Sequence, residues 1–402
     1  MSRTVHALVS HDGRYLGAAP PFEVATRWWP DVEPVTAHLD ALLGGPTAVL
    51  RLLRLLRVAG APGGRGGVAT YHVEALDGVH DERLDPAMPT DWSVVVAPHP
   101  RRMAWAEPGG PQRLVDWAVA ALDVPLIGRP TQVKSWNLSC LYRLPLADGA
   151  VWAKATAPFL ATDADAIRIV RRHDAELAPD VLATDRAEGR SLLAEAPGVD
   201  CFQTDPATIR AVVARWVAVQ AAAADDPELA GLPTRRPDEL AGLFAAAVSR
   251  LDDPAERAAA SALVDDLPRL VTELDAAGLP LTLVHGDFHP GNWRSDGTGR
   301  QILDWGDCYV GHPAADVQRL MGWLPADQAA VAARTWVDAW LAHRPGSHPE
   351  RALAPMSVLA RVVGAIIYQR FLDHIEPDER IYHEDDPATE IRAALAAAAE
   401  LS

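Results

Sequence analysis

Three oxygen-bearing side chains stand close together in one turn-rich stretch of this 402-residue chain. Asp287 and Asn292 lie in V-H-G-D-F-H-P-G-N-W, and Asp304 follows in I-L-D-W-G-D. Phosphoryl transfer requires a carboxylate that orients and deprotonates the attacking hydroxyl, together with oxygen ligands for the magnesium ion that neutralises the phosphates. We therefore predict Asp287 as the catalytic residue, and Asn292 and Asp304 as ligands of Mg²⁺.

The same stretch allows two other interpretations. His285 and His289 are four residues apart, as in a zinc-binding H-E-x-x-H helix. Gly286, Pro290 and Gly291 disfavour a helix here, so the zinc interpretation is weak. The stretch can also be a polar turn beside an unrelated acidic hairpin, but five fixed positions followed by a second motif argue against coincidence.

The stretch resembles the catalytic loop of the aminoglycoside phosphotransferase family, the protein-kinase-like small-molecule kinases with the signature H-G-D-x-H-x-x-N followed by I-x-D-W. Gly311, Pro313 and Asp316 also match the G-x-P-x-x-D pattern of that family. The resemblance implies an α+β, bilobal protein-kinase-like fold with a β-rich N-lobe and a helical C-lobe, and ATP and Mg²⁺ as cofactors. It also implies that Asp316 is mainly structural and that His285 packs and orients rather than reacts.

A kinase-like fold needs a lysine on an upstream strand, and Lys154 has that place. Residues 147–150 predict a hairpin turn before a strand over 151–155, which mimics the V-A-I-K strand of kinases. We expect Lys154 to point at the α- and β-phosphates. The phosphate-covering turn before it has no G-x-G-x-x-G; the small polar residues that replace the glycines there are Ser135, Asn137 and Ser139.

Two further nucleotide contacts follow from the resemblance. Asp163 opens a predicted helix at the place where similar sequences carry the glutamate partner of the lysine, but Asp163 can equally be a helix N-cap. The sequence leaves both roles open. The strand that ends near residue 194 resembles the hinge, whose backbone at Ala194, Glu195 and Ala196 would bind adenine. A plain strand ended by Pro-Gly has the same pattern.

The extent of the resemblance predicts three parts: a small α+β N-terminal domain over residues 1–124, a kinase-like N-lobe over 125–198 and a helical C-lobe over 199–402. The first part faintly resembles a Nudix-type fold, but it lacks the metal-binding glutamates of that fold. Its glycine-rich run, residues 63–67, precedes a strand rather than a helix, so we interpret it as a loop and not as a dinucleotide site. Periodicity predicts a hairpin over 5–17, a helix over 35–43, strands over 69–75 and 92–97, and a helix over 112–122.

The last part is predicted to be mostly helical. Trp216, Trp336 and Trp340 recur at helical spacing on apolar faces, and we expect them to pack in the core. The predicted helices cover residues 205–224, 237–251, 255–277, 327–343, 353–374 and 392–401.

Charge and composition limit the partners of this chain. Its formal net charge of −17 argues against nucleic acid and suits a cationic acceptor such as an aminated sugar. Residues 376–386 are strongly acidic, near the place where the family binds its acceptor, and we interpret them as an exposed acidic face.

Three widely spaced cysteines indicate reduced thiols in a cytoplasmic protein. We recognise no leader segment and no apolar run of roughly 18 to 20 residues, so we expect neither secretion nor a membrane partner.

The residues, together with the family resemblance, predict transfer of the γ-phosphoryl group of ATP to a hydroxyl of an amino sugar, an aminoglycoside or an amino alcohol. The alternative is a nucleotide-binding pseudokinase or regulatory module without turnover, suggested by the missing glycines and by Asp163. A protein kinase is disfavoured because no A-P-E activation segment lies between Asp304 and Asp316. Neither the acceptor nor the oligomeric state can be read from the sequence.

Overall fold

The chain divides by its internal contacts into two compact units. The computed structural model describes residues 2–26, 28–56, 66–77, 80–160 and 163–401. Unit 1 consists of Met1–Ala161, Val181–Glu195 and Leu372–Glu384, and unit 2 consists of Thr162–Asp180, Ala196–Phe371 and Asp385–Ser402. The chain thus passes from one unit to the other several times. The division into residues 1–124, 125–198 and 199–402 stays a prediction.

The first sheet of unit 1 has five strands in the order β2-β1-β5-β4, with β3 paired to β1. The predicted hairpin is confirmed: β1 and β2 are antiparallel and are joined by Asp12 and Gly13, both at positive φ, as a type I′ turn requires. The predicted helix α1 is also confirmed, and it ends at Gly44 in the left-handed conformation. The elements are β1 (Arg3–His11), β2 (Arg14–Ala18), β3 (Phe22–Val24), α1 (Glu33–Leu43), β4 (Thr47–Leu56) and β5 (Val68–Ala75).

One sequence-based expectation in this region needs correction. The valine-rich segment predicted as a strand over 92–97 forms a short helix, α2 (Trp92–Val96). Trp92 and Val95, three residues apart, are both buried and pack with Tyr15, so a helical face decides the conformation against β propensity. The strand β4 was not predicted at all. The glycine-rich run over 63–67 lies largely outside the described residues.

The second sheet of unit 1 is antiparallel throughout, with the order β6-β7-β8-β10-β9, and its predicted strands are confirmed. Helix α3 shares the core of this sheet: Trp105 and Leu114 cluster with Cys140 and Ala153. The elements are α3 (Gly110–Ala120), β6 (Thr131–Ser135), β7 (Ser139–Leu146), β8 (Gly149–Thr156), β9 (Val181–Asp185) and β10 (Arg190–Ala194).

Hydrogen bonds join the two sheets of unit 1. The side-chain amide of Gln132 in β6 donates to the carbonyl of Val49 in β4 at 2.9 Å and accepts from the backbone N–H of Val49 at 2.8 Å. Because both bonds are buried, this pair fixes β6 against the first sheet.

The C-terminal strap, residues 372–384, completes unit 1, although its neighbours in sequence belong to unit 2. The predicted exposed acidic face is wrong for Glu376 and Glu379, which are 3% and 2% exposed. Glu376 accepts two hydrogen bonds from Arg102, at 2.9 and 3.0 Å, and lies 3.5 Å from Arg51. The arginine partners of Glu376 are some three hundred residues away in sequence, so the acidic run alone gave no sign of this pairing.

Unit 2 is mainly helical, with two small sheets in the orders β11-β13-β14 and β12-β15. The expectation for Trp216, Trp336 and Trp340 is confirmed, since each is at most 2% exposed. The elements are α4 (Asp163–His173), β11 (Val199–Asp200), α5 (Pro206–Ala223), α6 (Leu240–Val248), α7 (Pro254–Asp275), β12 (Thr282–Val284), β13 (Trp293–Ser295), β14 (Arg300–Ile302), β15 (Tyr309–Gly311), α8 (Ala314–Met321), α9 (Ala326–His343), α10 (Glu350–His374) and α11 (Asp386–Leu401).

Helix α10 is long and apolar enough to cross a membrane by length and composition, with a mean hydropathy of 1.5 over its best window. Half of the window is buried inside the protein, and the core helix of a soluble protein meets the same criterion.

Candidate active site

The candidate catalytic loop and the loop that carries Asp304 approach each other closely within unit 2. Strand β12 enters the first loop and pairs with β15, which leaves the second. The N–H of Leu303 donates to the carbonyl of Asn292 at 2.8 Å. Gly286 has a φ of 85°, and a Cβ at this position would overlap the carbonyl oxygen of Asp307. Only glycine meets both requirements, which explains the glycine beside the predicted base.

Four N–H groups surround the Asp287 carboxylate. Its Oδ1 accepts from Nε and Nη2 of Arg319, at 2.9 and 2.7 Å. Its Oδ2 accepts from Nδ2 of Asn292 at 3.1 Å and from Nε2 of His289 at 3.2 Å. Desolvation acts to raise the pKa of Asp287, but the hydrogen bond from His289 and the positive charge of Arg319 outweigh it, so this pKa is lowered. Asp287 is therefore ionised and held in one orientation.

His289 is fixed in one tautomer by its own loop. Its Nδ1 accepts from the backbone N–H of Gly291 at 3.0 Å, so the ring proton of the neutral imidazole lies on Nε2, which donates to Asp287. The imidazole also stacks on Trp323, with ring centroids 4.1 Å apart and an interplanar angle of 11°. His289 therefore orients the carboxylate of Asp287, and both of its ring nitrogens are engaged within this loop.

Asp316 anchors the catalytic loop from the start of α8. Its carboxylate accepts from Nε1 of Trp216 at 2.8 Å, from Nε2 of Gln220 at 3.1 Å and from the backbone N–H groups of His285 and Gly286 at 2.9 and 3.0 Å. Burial raises the pKa of Asp316, and these donors oppose that shift. All four donors belong to the protein itself, so Asp316 has a structural role, as the family resemblance implied.

His285 ties the two loops together. It is fully buried, its Nδ1 accepts from the N–H of Asp287 at 3.2 Å, and its Nε2 donates to the carbonyl of Leu303 at 2.9 Å. Burial lowers the pKa of His285, so the ring stays neutral and serves as a spacer between the loops.

Asn292 and Asp304 suit a metal that completes its coordination with phosphate oxygens and water. Nδ2 of Asn292 donates to both the carbonyl and the carboxylate of Asp287, at 2.9 and 3.1 Å, which leaves its Oδ1 for another partner. Asp304 is exposed at the neighbouring loop, with a φ of 63°. Among the described residues no cluster of three or more His, Cys, Asp or Glu side chains could hold a metal. Two oxygen ligands fit Mg²⁺, which retains waters and binds substrate phosphates.

The predicted nucleotide contacts of unit 1 lie on the second sheet. Lys154 is in β8, opposite Leu141 of β7 and Ser191 of β10, and is 8% exposed. Ser135 and Ser139 flank the turn between β6 and β7. The hydroxyl of Ser135 donates to the carbonyl of Leu50 at 3.4 Å, so this residue contributes to the contact with the first sheet.

Asn137 differs from its neighbours in this turn. The hydroxyl of Ser139 accepts from Nε1 of Trp136 at 2.9 Å, whereas Asn137 is fully buried and neither its amide nitrogen nor its amide oxygen has a hydrogen-bond partner within the described residues. Buried polar atoms of this kind are rare in folded proteins and are commonly satisfied by a ligand or an ion.

The remaining predicted contacts lie where the chain changes unit. Asp163 is the first residue of α4 in unit 2 and is buried at 3% exposure. Ala194 ends β10, Glu195 pairs with Arg143 at 3.0 Å in unit 1, and Ala196 begins the next segment of unit 2. A hinge between two units would have this position in the chain.

Arg319 and Trp323 are the main residues that the sequence reasoning missed. Arg319 lies three residues after Asp316 on α8, so both side chains lie on one helix face, and this spacing was the available signal. The guanidinium Cζ of Arg319 is 5.7 Å from the centroid of the Trp323 ring, within the range of a cation–π contact.

A cavity of about 190 Å³ adjoins this cluster within unit 2. Trp323 and Pro290 belong to its wall and connect it to His289, on which Trp323 stacks. Phe202 stands 6.4 Å from Trp323 between ring centroids, and the two side chains are 58% and 39% exposed. The lining residues are Phe202, Gln203, Thr204, Pro290, Trp323, Leu324, Pro325 and Gln328.

Residues 141–353 match the family described as APH: Phosphotransferase enzyme family. A choline/ethanolamine kinase family protein from Mesorhizobium loti is similar in structure, with a TM-score of 0.51, 18% identity and coverage of 71% of this chain and 98% of that protein. A choline kinase from Cryptosporidium parvum Iowa II has a TM-score of 0.53 at 10% identity, covering 72% and 96%. The GDP and kanamycin complex of APH(2")-IIia has a TM-score of 0.51 at 14% identity, covering 73% and 99%. No curated protein matches the chain. The α+β, protein-kinase-like fold expected from the sequence is confirmed.

Proposed function

The chain belongs to the phosphotransferase enzyme family, and we propose that its reaction is the transfer of the γ-phosphoryl group of ATP to a hydroxyl group of a small molecule. The observation that carries this proposal is Asp287: an ionised carboxylate, held in place by Arg319, His289 and Asn292, on a loop that contacts the loop of Asp304. Phosphoryl transfer requires a base in a fixed position, next to two oxygen ligands for the metal ion.

In the proposed reaction the acceptor oxygen forms a bond to the γ-phosphorus while the bond from that phosphorus to the bridging oxygen of ADP breaks. The proton of the acceptor hydroxyl passes to the carboxylate of Asp287 and then to solvent. Asp287 fixes the direction from which the hydroxyl attacks, and positioning of this kind supplies much of the rate in such reactions.

Asn292 and Asp304 would hold the magnesium ion, which neutralises charge on the phosphates when it is bound. Lys154 would contact the α- and β-phosphates, Asn137 and the turn around it would cover them, and Asp163 would orient the lysine. The orphaned amide of Asn137 supports this assignment, because a bound phosphate or its water would satisfy it. The backbone at residues 194–196 would receive the adenine.

For the acceptor, the sequence predicts an amino sugar, an aminoglycoside or an amino alcohol. The net charge of −17 and the kanamycin bound by one structural relative support these classes. We place the enzyme in the cytoplasm, where its cysteines, none of which forms a disulfide in the described structure, would stay reduced.

The central test is release of ADP over a panel of sugars, aminoglycosides and alcohols, with Asp287→Asn as the variant. We expect turnover to fall by about 10³-fold or more, because the variant keeps the shape of the side chain but removes the proton acceptor. ATP binding, measured by calorimetry, should survive.

Asp338→Asn is the matched control, since Asp338 is an exposed residue of α9 that lines neither the Asp287 cluster nor the cavity. It should leave the rate unchanged, and chelation of magnesium should stop turnover in wild type and control alike. Full turnover by Asp287→Asn would remove the proposed base.

A nucleotide-binding module without turnover is the second candidate. One observation favours it: four donors occupy the Asp287 carboxylate, so an acceptor hydroxyl must displace one of them. Nucleotide binding without ADP release for any member of the panel would favour this candidate over the first.

A further inference from the structure

Local charge around the proposed base contradicts the expectation of a cationic acceptor. Arg319 gives Asp287 a bidentate partner, so the carboxylate charge is already balanced by a guanidinium. Arg319 is 35% exposed, and its Nη1 donates no hydrogen bond to any residue in the described part of the chain. An ammonium group brought next to Asp287 would therefore face a fixed positive charge as well as a negative one.

The adjoining cavity offers an ammonium group no negative charge, and of its two aromatic rings Trp323 already contacts Arg319 and His289. None of its eight lining residues carries a charge. Its polar groups are amides and one hydroxyl, and the hydroxyl oxygen of Thr204 is buried without a hydrogen-bond partner among the described residues. The rings of Phe202 and Trp323 are partly exposed there, as is usual for aromatic side chains that contact a ligand.

The net charge of −17 does not reverse this local pattern. At physiological ionic strength the screening length is about 8 Å, so carboxylates spread over the surface act weakly on a group bound beside Arg319. Short-range charge decides which acceptor fits, whereas the net charge influences only the approach from a distance.

We propose that Arg319 selects against cationic acceptors, and that the acceptor is an uncharged hydroxyl compound whose apolar face packs on Phe202 and Trp323. This inference rests on the proposed kinase function and assigns it an uncharged acceptor in place of the cationic ones predicted from the sequence. The free edge of the guanidinium donates to an oxygen of the acceptor, and Thr204 supplies or receives one further hydrogen bond. Arg319 is thus both a positioning residue for Asp287 and a specificity-determining residue.

Matched acceptor pairs that differ by one charge test the proposal. Phenylalaninol and N-acetylphenylalaninol share a hydroxyl and an aromatic face, and glucosamine and N-acetylglucosamine share a sugar ring. We expect wild type to prefer the acetylated member of each pair by at least about tenfold in kcat/KM, from the removal of one close charge repulsion. Calorimetric binding to the full-length protein should show the same order.

Three variants assign the preference to its source. In Arg319→Gln the ratio within each pair should fall to about threefold or less, whereas Arg319→Lys keeps the charge and should keep the ratio while kcat drops. Trp323→Ala should raise KM for both members of the aromatic pair without changing the ratio. Arg392→Gln is the control: it removes an equally bidentate but exposed ion pair, with Glu256, and should change nothing.

The outcomes separate this inference from the function on which it rests. Equal or better use of the ammonium members by wild type, or an unchanged ratio in Arg319→Gln, would refute the charge selection and leave the kinase function standing. Binding with the expected preference but no ADP release would refute the kinase function alone. Failure of both members of both pairs to bind would overturn the proposed acceptor class.

Discussion

Two carboxylates with nearly equal burial, Asp316 and Glu379, have opposite surroundings. Asp316, in unit 2, is 1% exposed and accepts hydrogen bonds from four donors. Glu379, in the C-terminal strap, is 2% exposed, and its Oε1 has no hydrogen-bond partner among the described residues. The candidate catalytic loop is thus fixed by a carboxyl group with four hydrogen-bond donors, while the strap contains a carboxyl group whose charged form its surroundings disfavour. The buried fraction of a carboxyl group therefore does not show whether its hydrogen bonds are satisfied.

The largest effect in this comparison is expected from Asp316→Asn. The substitution keeps the shape but replaces an acceptor oxygen by an NH₂ donor, so that buried N–H groups of the loop lose their partner. Each such loss costs about 1 to 3 kcal/mol, so we expect the free energy of unfolding to drop by roughly 3 to 5 kcal/mol in urea titration. A drop below about 1 kcal/mol, close to that of the exposed control Asp338→Asn, would mean that Asp316 is no anchor.

A smaller, pH-dependent effect is expected from Glu379→Gln. Desolvation, followed by the nearby charge of Glu376, raises the pKa of Glu379 from 4.5 to about 8; Asp378 of the strap adds to the shift, and Arg51 of β4 and Arg102 oppose it. The folded protein therefore binds this proton more tightly than the unfolded chain does. The contribution of Glu379 is complete below pH 4.5 and is lost as the pH rises to about 8.

Thermal unfolding across this pH range measures that loss. Glu379→Gln cannot titrate, so its stability relative to wild type should increase between pH 5 and pH 8, by at most about 5 kcal/mol. Glu188→Gln, an exposed glutamate of unit 1 at 50% exposure, provides the control and should run parallel to wild type. If the stability of Glu379→Gln instead followed that of wild type across this pH range, the strap would tolerate the ionised form of Glu379.

The smallest effect on stability is expected from Asn137→Ala. Since both polar atoms of the Asn137 amide lack partners among the described residues, its removal should leave the free energy of unfolding within about 1 kcal/mol of wild type. Nucleotide affinity, measured by calorimetry, should nevertheless fall. Unchanged affinity would place Asn137 outside the nucleotide site, and a large loss of stability would show that its amide is satisfied in the folded protein.

The comparison also shows what the sequence could predict. The predictions for Asp287, Asn292 and Asp304 rest on a local motif, and the structure brings the loops that carry these residues together. The fold class followed from the same motif. Arg319 was missed, although it stands at helical spacing from Asp316, because an arginine on a helix face is ordinary in sequence. Its role is visible only once Asp287 is seen to be its partner.

The errors arose where distant segments meet. Residues 92–97 have β propensity but become helical because Trp92 and Val95 pack on Tyr15. The acidic run near residue 376 was interpreted as exposed because its partners, Arg51 and Arg102, belong to the opposite end of the chain. Hydrophobic periodicity describes one helix or strand at a time. It therefore gives no information about contacts between residues that are far apart in sequence.

The strap has a consequence for the order in which the protein matures. Tyr382 is 5% exposed and belongs to the same core as Val5 and Val9, so a residue synthesised long after β1 completes the core of the first sheet. Domains commonly fold as they emerge, N-terminal first. Here β1 must wait, its apolar surface incompletely covered, until the strap has been synthesised, and a protein truncated before residue 372 would never acquire that closing piece.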